Sequence, residues 1–161
     1  MIYPYPKFLS KQECEEIINL SLPQLKPLTT YSNSSNNNEV EVNKDRVGDG
    51  CYFYGNEGIF GKIINNLSFL TNSPQHCIEA INVVRYKVGG RYDQHFDCFS
   101  FSEGFTDKIK AEGDRKYSCI IYLNENFSGG STYFPNIGVE IHPSVGSLII
   151  WSNLNSKGTP Y

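Results

Sequence analysis

The chain has 161 residues, a net charge of −3 and no basic run, so it lacks the positive surface with which proteins bind nucleic-acid phosphates. Its start, residues 1–6, has neither the basic nor the apolar region of a signal peptide, and no apolar stretch reaches the ~18 residues of a membrane span. The five cysteines form no CxxC pair, which disfavours a zinc knuckle or a disulfide framework. These features predict one cytoplasmic domain with reduced thiols and with no nucleic-acid or membrane partner.

Two amphipathic helices are predicted in the first half of the chain. Ser10 and Glu13 form the S-x-x-E pattern of a capping box, and apolar residues at helical spacing follow until Pro23. A second helix is predicted over residues 59–70, because its apolar side chains share one face. Residues 1–75 are therefore interpreted as an N-terminal helical support region of a single domain that spans residues 1–161.

From residue 77 onward the hydrophobic period changes from that of a helix to that of a strand. Side chains alternate between two faces over residues 80–86, and the aromatic content of 14% suits a pleated surface. Further strand-like runs, separated by turn residues, lie at 116–123, 131–134, 138–142 and 147–151. Short strands at regular spacing predict a sandwich, barrel or jelly roll, with residues 76–161 as its core.

His95 and Asp97 are candidate metal ligands. On a strand, residues two apart face the same side, roughly 6.5–7 Å apart, so an imidazole and a carboxylate can converge on one cation. Two histidines and one carboxylate form the facial triad with which non-haem Fe(II) oxygenases hold their metal. Taken alone, however, a His-x-Asp triplet is weak evidence, because a surface pair on a loop explains it equally simply.

The segments around this triplet extend the pattern. Residues 85–97 read R-Y-K-V-G-G-R-Y-D-Q-H-F-D, residues 115–124 read R-K-Y-S-C-I-I-Y-L-N, residues 129–135 read G-G-S-T-Y-F-P, and residues 139–153 run from V-E-I-H-P to W-S-N. In this order and at these gaps, the segments resemble the prolyl 4-hydroxylase-type family of Fe(II)- and 2-oxoglutarate-dependent oxygenases. The resemblance covers about residues 77–153 and is more specific than the triplet alone.

The resemblance implies a mainly β (α+β) fold, a double-stranded β-helix or jelly roll with N-terminal helices packed outside it. It implies an iron site that uses His95 and Asp97, with 2-oxoglutarate as co-substrate and ascorbate as the reductant that restores oxidised iron. It also implies that Tyr86 and Thr132 bind the 2-oxoglutarate. Without the family register, Tyr86 would be interpreted as a half-buried strand aromatic and Thr132 as a β-branched strand residue.

The family's second iron histidine, and the Lys or Arg that follows it and binds 2-oxoglutarate, have no counterpart before Tyr161. The jelly roll is therefore expected to lack its last strands, and the chain is expected to be C-terminally truncated. His142 belongs in register to the strand end before the turn, and Lys157 lies in a tail without strand character. Neither residue is assigned to the site.

Two classes of function follow. The first is a dioxygenase that hydroxylates a C–H bond, by resemblance that of peptidyl proline, with succinate and CO2 as co-products. Its substrate is expected to be a protein or peptide, with a small molecule as the other option. The alternative is a catalytically inactive jelly-roll binding module or an incomplete fragment, which the missing histidine favours. A structural zinc domain is disfavoured, because the Cys/His spacing is wrong. The sequence leaves the oligomeric state open.

Overall fold

A computed structural model describes residues 1–31, 40–42, 45–101, 107, 109–110, 113–155 and 159. The chain divides into two compact units. The first unit consists of Met1–Glu15 with Gln94–Tyr161, and the second consists of Glu16–Asp93. The single domain, with its predicted boundary after residue 75, stays a prediction.

The described residues form short strands and two longer helices. In chain order these are β1 (Ile2–Tyr5), α1 (Lys11–Ser21), β2 (Lys26–Pro27), β3 (Thr29–Tyr31), β4 (Val40–Val42), β5 (Arg46–Val47), β6 (Asp49–Phe53), α2 (Gly58–Thr71), β7 (Ile81–Arg85), β8 (Arg91–Tyr92), β9 (Tyr117–Ile121), β10 (Thr132–Phe134), β11 (Val139–Ile141) and β12 (Leu148–Ser152). Short 3₁₀ helices span Leu22–Gln24, Gln75–Cys77, Phe99–Phe101 and Pro135–Ile137. No helix within the described ranges combines the length and the apolar character that crossing a membrane requires.

The two predicted helices are confirmed. At the start of α1, the Ser10 hydroxyl accepts the Glu13 N–H at 3.2 Å, and the Glu13 carboxylate accepts the Ser10 N–H at 2.8 Å. These reciprocal bonds are the predicted capping box. Helix α2 buries Ile63 and Leu67, and it ends at Asn72 in the left-handed conformation that closes many helices.

The second unit contains a three-stranded antiparallel sheet in the order β2-β6-β7. Its central strand β6 places Cys51 opposite Val83 of β7, and both side chains are buried. Strand β7 is the strand predicted at residues 80–86. The region predicted as helical support therefore also contains strands, because the short runs around residues 26–53 pair with each other and with β7.

The first unit is built on β12, the central strand of the antiparallel sheet β1-β12-β9. Leu148, Ile149 and Ile150 are at most 3% exposed, and burying one side chain of this kind stabilises a fold by about 1.5–3 kcal/mol. The sequence did not reveal β1, since Pro4 disfavours a strand. As an edge strand, β1 tolerates a residue that cannot donate a backbone hydrogen bond.

The first unit also contains a two-stranded antiparallel sheet, β10-β11. The register of β12 with β9 sets Trp151 opposite Ser118, so these two side chains project from the same face. The Trp151 ring packs against Phe134 of β10 in an edge-on arrangement, with 5.2 Å between ring centroids. This ring contact joins the two sheets, as expected of a jelly roll.

Candidate metal centre

Both predicted metal ligands lie in residues 94–101, here called the ligand loop. The strand spacing that made His95 and Asp97 candidate partners does not apply here, because β8 ends at Tyr92 and residues 93–98 have neither strand nor helix. Strand β8 pairs over only two residues with β5, and the Asp93 N–H donates to the Asp45 carbonyl just beyond them at 2.7 Å. The ligand loop therefore begins where a very short ladder ends.

The two side chains nevertheless converge. His95 Nε2 lies 3.2 Å from Asp97 Oδ1. Two ligand atoms that bind one divalent cation at ~2.1 Å and at roughly a right angle lie about 3 Å apart. The side chains are 35% and 26% exposed, so the pair is reachable from solvent without being a fully exposed surface pair. An imidazole and a carboxylate at this spacing fit one Fe(II)-type cation.

Asp97 has the ionisation state that metal binding requires. Burial by itself raises the pKa of Asp97, but hydrogen bonds from His95 and Ser118, together with the positive charge of Arg115, outweigh it. The pKa of this carboxyl therefore lies below its usual value, and the group stays ionised at neutral pH. A deprotonated carboxylate is the form that coordinates a metal.

Thr132 is hydrogen-bonded to a tyrosine that the sequence reasoning missed. The hydroxyl oxygens of Thr132 and Tyr122 lie 2.6 Å apart, and Tyr122 is 9% exposed. Burial raises the pKa of the Tyr122 phenol, and the hydrogen bond to Thr132 offsets part of this rise. The phenol therefore stays protonated at neutral pH. The sequence signal that could have identified Tyr122 is its spacing from Ser118, because residues four apart on a strand share a face.

Known proteins have sequences and folds similar to those of this chain. Residues 81–158 match the 2OG-Fe(II) oxygenase superfamily. Prolyl 4-hydroxylase 13 of Arabidopsis thaliana is 26% identical over 180 residues, which cover 98% of this chain and 61% of the plant protein. Prolyl 4-hydroxylase subunit alpha-1 of Bos taurus is 28% identical over 158 residues, which cover 98% of this chain and 29% of the bovine protein. The chain thus spans less than two thirds of either relative.

A solved structure extends the likeness to the fold. The viral collagen prolyl hydroxylase of Paramecium bursaria Chlorella virus-1, in its 2-oxoglutarate complex, superposes with a TM-score of 0.74 at 25% identity, over 99% of this chain and 82% of the viral one. In sequence and in fold, the chain is similar to the prolyl 4-hydroxylase-type 2-oxoglutarate–Fe(II) oxygenases. The predicted jelly-roll fold class is confirmed, and the metal and co-substrate of this family are Fe(II) and 2-oxoglutarate.

Two features that this oxygenase family implies stay predictions. Within the described ranges, no third His, Cys, Asp or Glu joins His95 and Asp97 in a group that could hold a metal. His142 follows β11 with an exposed side chain and belongs to no such group. Lys157 lies outside the described residues. The second iron histidine and the basic residue for 2-oxoglutarate therefore stay unassigned.

Tyr86, the other residue that the resemblance assigned to 2-oxoglutarate, lies in the second unit. It follows β7 directly and is 44% exposed. Its hydroxyl accepts a long hydrogen bond from Arg46 Nε at 3.5 Å. Because Tyr86 and the ligand loop belong to different compact units, its contact with the co-substrate stays a prediction.

Proposed function

We propose that this chain carries the metal-binding part of an Fe(II)- and 2-oxoglutarate-dependent dioxygenase that hydroxylates peptidyl proline, with succinate and CO2 as co-products and ascorbate as the supporting reductant. The observation that carries the proposal is the convergence of His95 Nε2 and Asp97 Oδ1 at 3.2 Å within the stretch that matches the oxygenase superfamily. Bound Fe(II) and 2-oxoglutarate would supply the oxidising chemistry, and the protein supplies ligands, orientation and exclusion of water.

The charges of the ligand pair favour an anionic co-substrate. A neutral His95 and an ionised Asp97 leave a divalent cation with one net positive charge. Tyr122 and Thr132 share one hydrogen bond, so this pair of hydroxyls keeps one O–H to donate to a further acceptor such as a carboxylate. Ser118, which lowers the pKa of Asp97, and Tyr122 are four residues apart, or roughly 13 Å along an extended chain. We assign the space between them to the five-carbon dicarboxylate.

The substrate class is inferred from the similar proteins. The plant and bovine relatives are prolyl 4-hydroxylases, and the viral structure is a collagen prolyl hydroxylase. A proline in a peptide chain is therefore the substrate that this proposal adopts. We also propose a cytoplasmic location, which is supported by the five cysteines: all lie within the described residues and are thiols rather than disulfides.

The test is the conversion of 2-oxoglutarate to succinate in the presence of Fe(II), ascorbate and a proline-rich peptide. His95→Ala and Asp97→Ala are each expected to lower the rate at least about 100-fold, because each removes a metal ligand. The matched controls are His76→Ala and Asp93→Asn, which change a histidine and an acid outside the ligand pair. Equal rates in the Asp97→Ala and unsubstituted proteins would contradict the proposal.

A non-catalytic binding module is the second candidate, and one observation favours it: no third ligand joins the pair among the described residues. The same assay separates the two candidates when metal binding is measured beside it. Metal binding that requires Asp97, without any succinate, would support the module. Succinate formation that is lost in His142→Ala, but not in His76→Ala, would instead identify His142 as the third ligand.

A further inference from the structure

Asp97 is held by a chain of hydrogen bonds that begins at Asn153. Asn153 directly follows β12 and is 9% exposed, one of the few buried polar side chains in the described part of the molecule. Its Nδ2 donates to Ser118 Oγ at 2.8 Å and to the Arg115 carbonyl at 3.1 Å. The Ser118 hydroxyl also lies close enough to the Asp97 carboxylate to donate to it and lower its pKa. One amide is therefore connected to a predicted metal ligand through one hydroxyl.

The number of N–H and O–H donors determines which group donates in each of these hydrogen bonds. The Asn153 amide must present its nitrogen to Arg115, because its oxygen would otherwise face a carbonyl oxygen. Both of its N–H groups are then used, one on Arg115 and one on Ser118. The Ser118 hydroxyl has a single proton. Since its oxygen accepts from Asn153, that proton is left for the carboxylate of Asp97, which can only accept while it is ionised.

Arg115 makes a second contact with Asp97, and Asn153 also binds Arg115. Its guanidinium donates to the Asp97 backbone carbonyl at 3.3 Å and lies over the Phe99 ring, 4.4 Å from the centroid. Because Asn153 binds the carbonyl of Arg115 and the hydroxyl of Ser118, it steadies the residues that contact both the backbone and the side chain of Asp97. The Asn153 backbone N–H also donates to the Lys116 carbonyl at 2.9 Å, which fixes the amide relative to the start of β9.

We infer that Asn153 and Ser118 are positioning residues for the metal: they orient the Asp97 carboxylate toward the point where the His95 imidazole meets it. This inference rests on the proposed function, since it presupposes a cation between His95 and Asp97. Hydrogen bonds to a ligating carboxylate typically change metal affinity by 10–100-fold when they are removed. Neither residue needs to touch the metal for this effect.

The test measures Mn2+ affinity by calorimetry in the presence of 2-oxoglutarate, with the unfolding temperature recorded for each variant. Ser118→Val and Ser118→Thr form a matched pair, because the two side chains have nearly the same shape and only Thr keeps the hydroxyl. We expect Ser118→Val to weaken Mn2+ binding about tenfold or more and Ser118→Thr to stay within about threefold of the unsubstituted protein. Of these two variants, only Ser118→Val should change the electron paramagnetic resonance spectrum of bound Mn2+.

Asn153→Ala gives an independent reading. This substitution should also lower the affinity for Mn2+. The double variant Asn153→Ala/Ser118→Val should bind Mn2+ as tightly as whichever single variant has the lower affinity, because the two residues act in series. Should Asn153→Ala fail to fold, the Ser118 pair decides alone. Unchanged affinity in folded Ser118→Val, or equal losses in Ser118→Val and Ser118→Thr, would overturn the inference. Binding that ignores Asp97→Asn would instead refute the metal site itself.

Discussion

Strand β12 and the ligand loop belong to the same compact unit, but they are held in place in different ways. Strand β12 has a backbone ladder on each side, with β1 and with β9, and its apolar side chains are buried. The ligand loop has no strand or α-helix in the described residues 94–101 and depends on side chains, among them Asp114, Arg115 and Ser118. Side chains of β12 therefore mainly stabilise the fold, whereas side chains that contact the ligand loop mainly fix the positions of the metal ligands.

The largest expected effect is on β12. Leu148→Ala should lower the free energy of unfolding by about 2–5 kcal/mol, because Leu148 is fully buried and the substitution leaves a cavity. Chemical denaturation measures this loss. Val139→Ala on β11, where the side chain is 38% exposed, is the control and should cost much less. A loss below about 1 kcal/mol for Leu148→Ala would show that β12 is not the centre of the first unit's core.

The next effect concerns the far end of the ligand loop. The Asp114 carboxylate accepts the backbone N–H groups of Phe99 at 2.7 Å and Ser100 at 3.2 Å, and it also bonds to the Ser100 hydroxyl. Asp114→Ala should cost about 1–3 kcal/mol, because it removes an ionised acceptor from several donors. Hydrogen exchange of the Phe99 and Ser100 amides should accelerate. Asp107→Ala, where the side chain is fully exposed, should leave both amides protected.

The same carboxylate predicts a pH dependence. Desolvation raises the pKa of Asp114, but the Ser100 hydroxyl and the backbone N–H groups outweigh it, so the pKa lies below its usual value. A lowered pKa means that this stabilisation is complete above the unfolded-state value of ~3.9 and is lost as the pH falls through the folded-state value.

Asp114→Asn should therefore lower the melting temperature at pH 6 and flatten its decline between pH 4 and pH 2, relative to the unsubstituted protein. Thermal melts across this range measure the effect, and Asp107→Asn is the matched control. An acid decline of unchanged steepness in Asp114→Asn would show that the Asp114 bonds do not stabilise the folded state.

The smallest effect concerns a side chain that supports a regular element. Ser10→Ala removes half of the α1 capping box and should cost about 1 kcal/mol. Ser10→Thr keeps the hydroxyl and should recover most of this loss. Denaturation curves of the two variants make the comparison. Equal losses in both would mean that the cap geometry, rather than the loss of the acceptor, sets the cost.

The regular elements were predictable because their signals are local. The capping box at Ser10 predicted α1, and the alternation of apolar and polar side chains predicted β7 and the strands of the core. His95 and Asp97 were identifiable as a pair because their spacing fits a metal and because motifs of one family surround them. The sequence thus predicted which residues converge, but not that they lie in a loop, since the two-residue length of β8 depends on its pairing with β5.

The remaining features depend on contacts between distant residues. Strand β1 contains Pro4 and forms only because β12 offers an edge. The Tyr122–Thr132 bond joins β10 to the residue just after β9, and the chain from Asn153 to Asp97 crosses 56 positions of sequence. Sequence periodicity does not indicate which distant residues become partners, because strand register and the packing of the sheets determine them. These are the contacts on which the ligand loop depends.

A paramagnetic titration can show whether His95 and Asp97 together bind one divalent cation. Substoichiometric Mn2+ is added to isotope-labelled protein, and the broadening of each amide signal is measured for the unsubstituted chain, Asp97→Asn and Asp93→Asn. We expect the signals of the ligand loop and of Ser118 to broaden first, Asp97→Asn to abolish this broadening, and Asp93→Asn to leave it unchanged. Broadening centred on His76 or His142, or broadening of the ligand loop that persists in Asp97→Asn, would contradict binding by this pair.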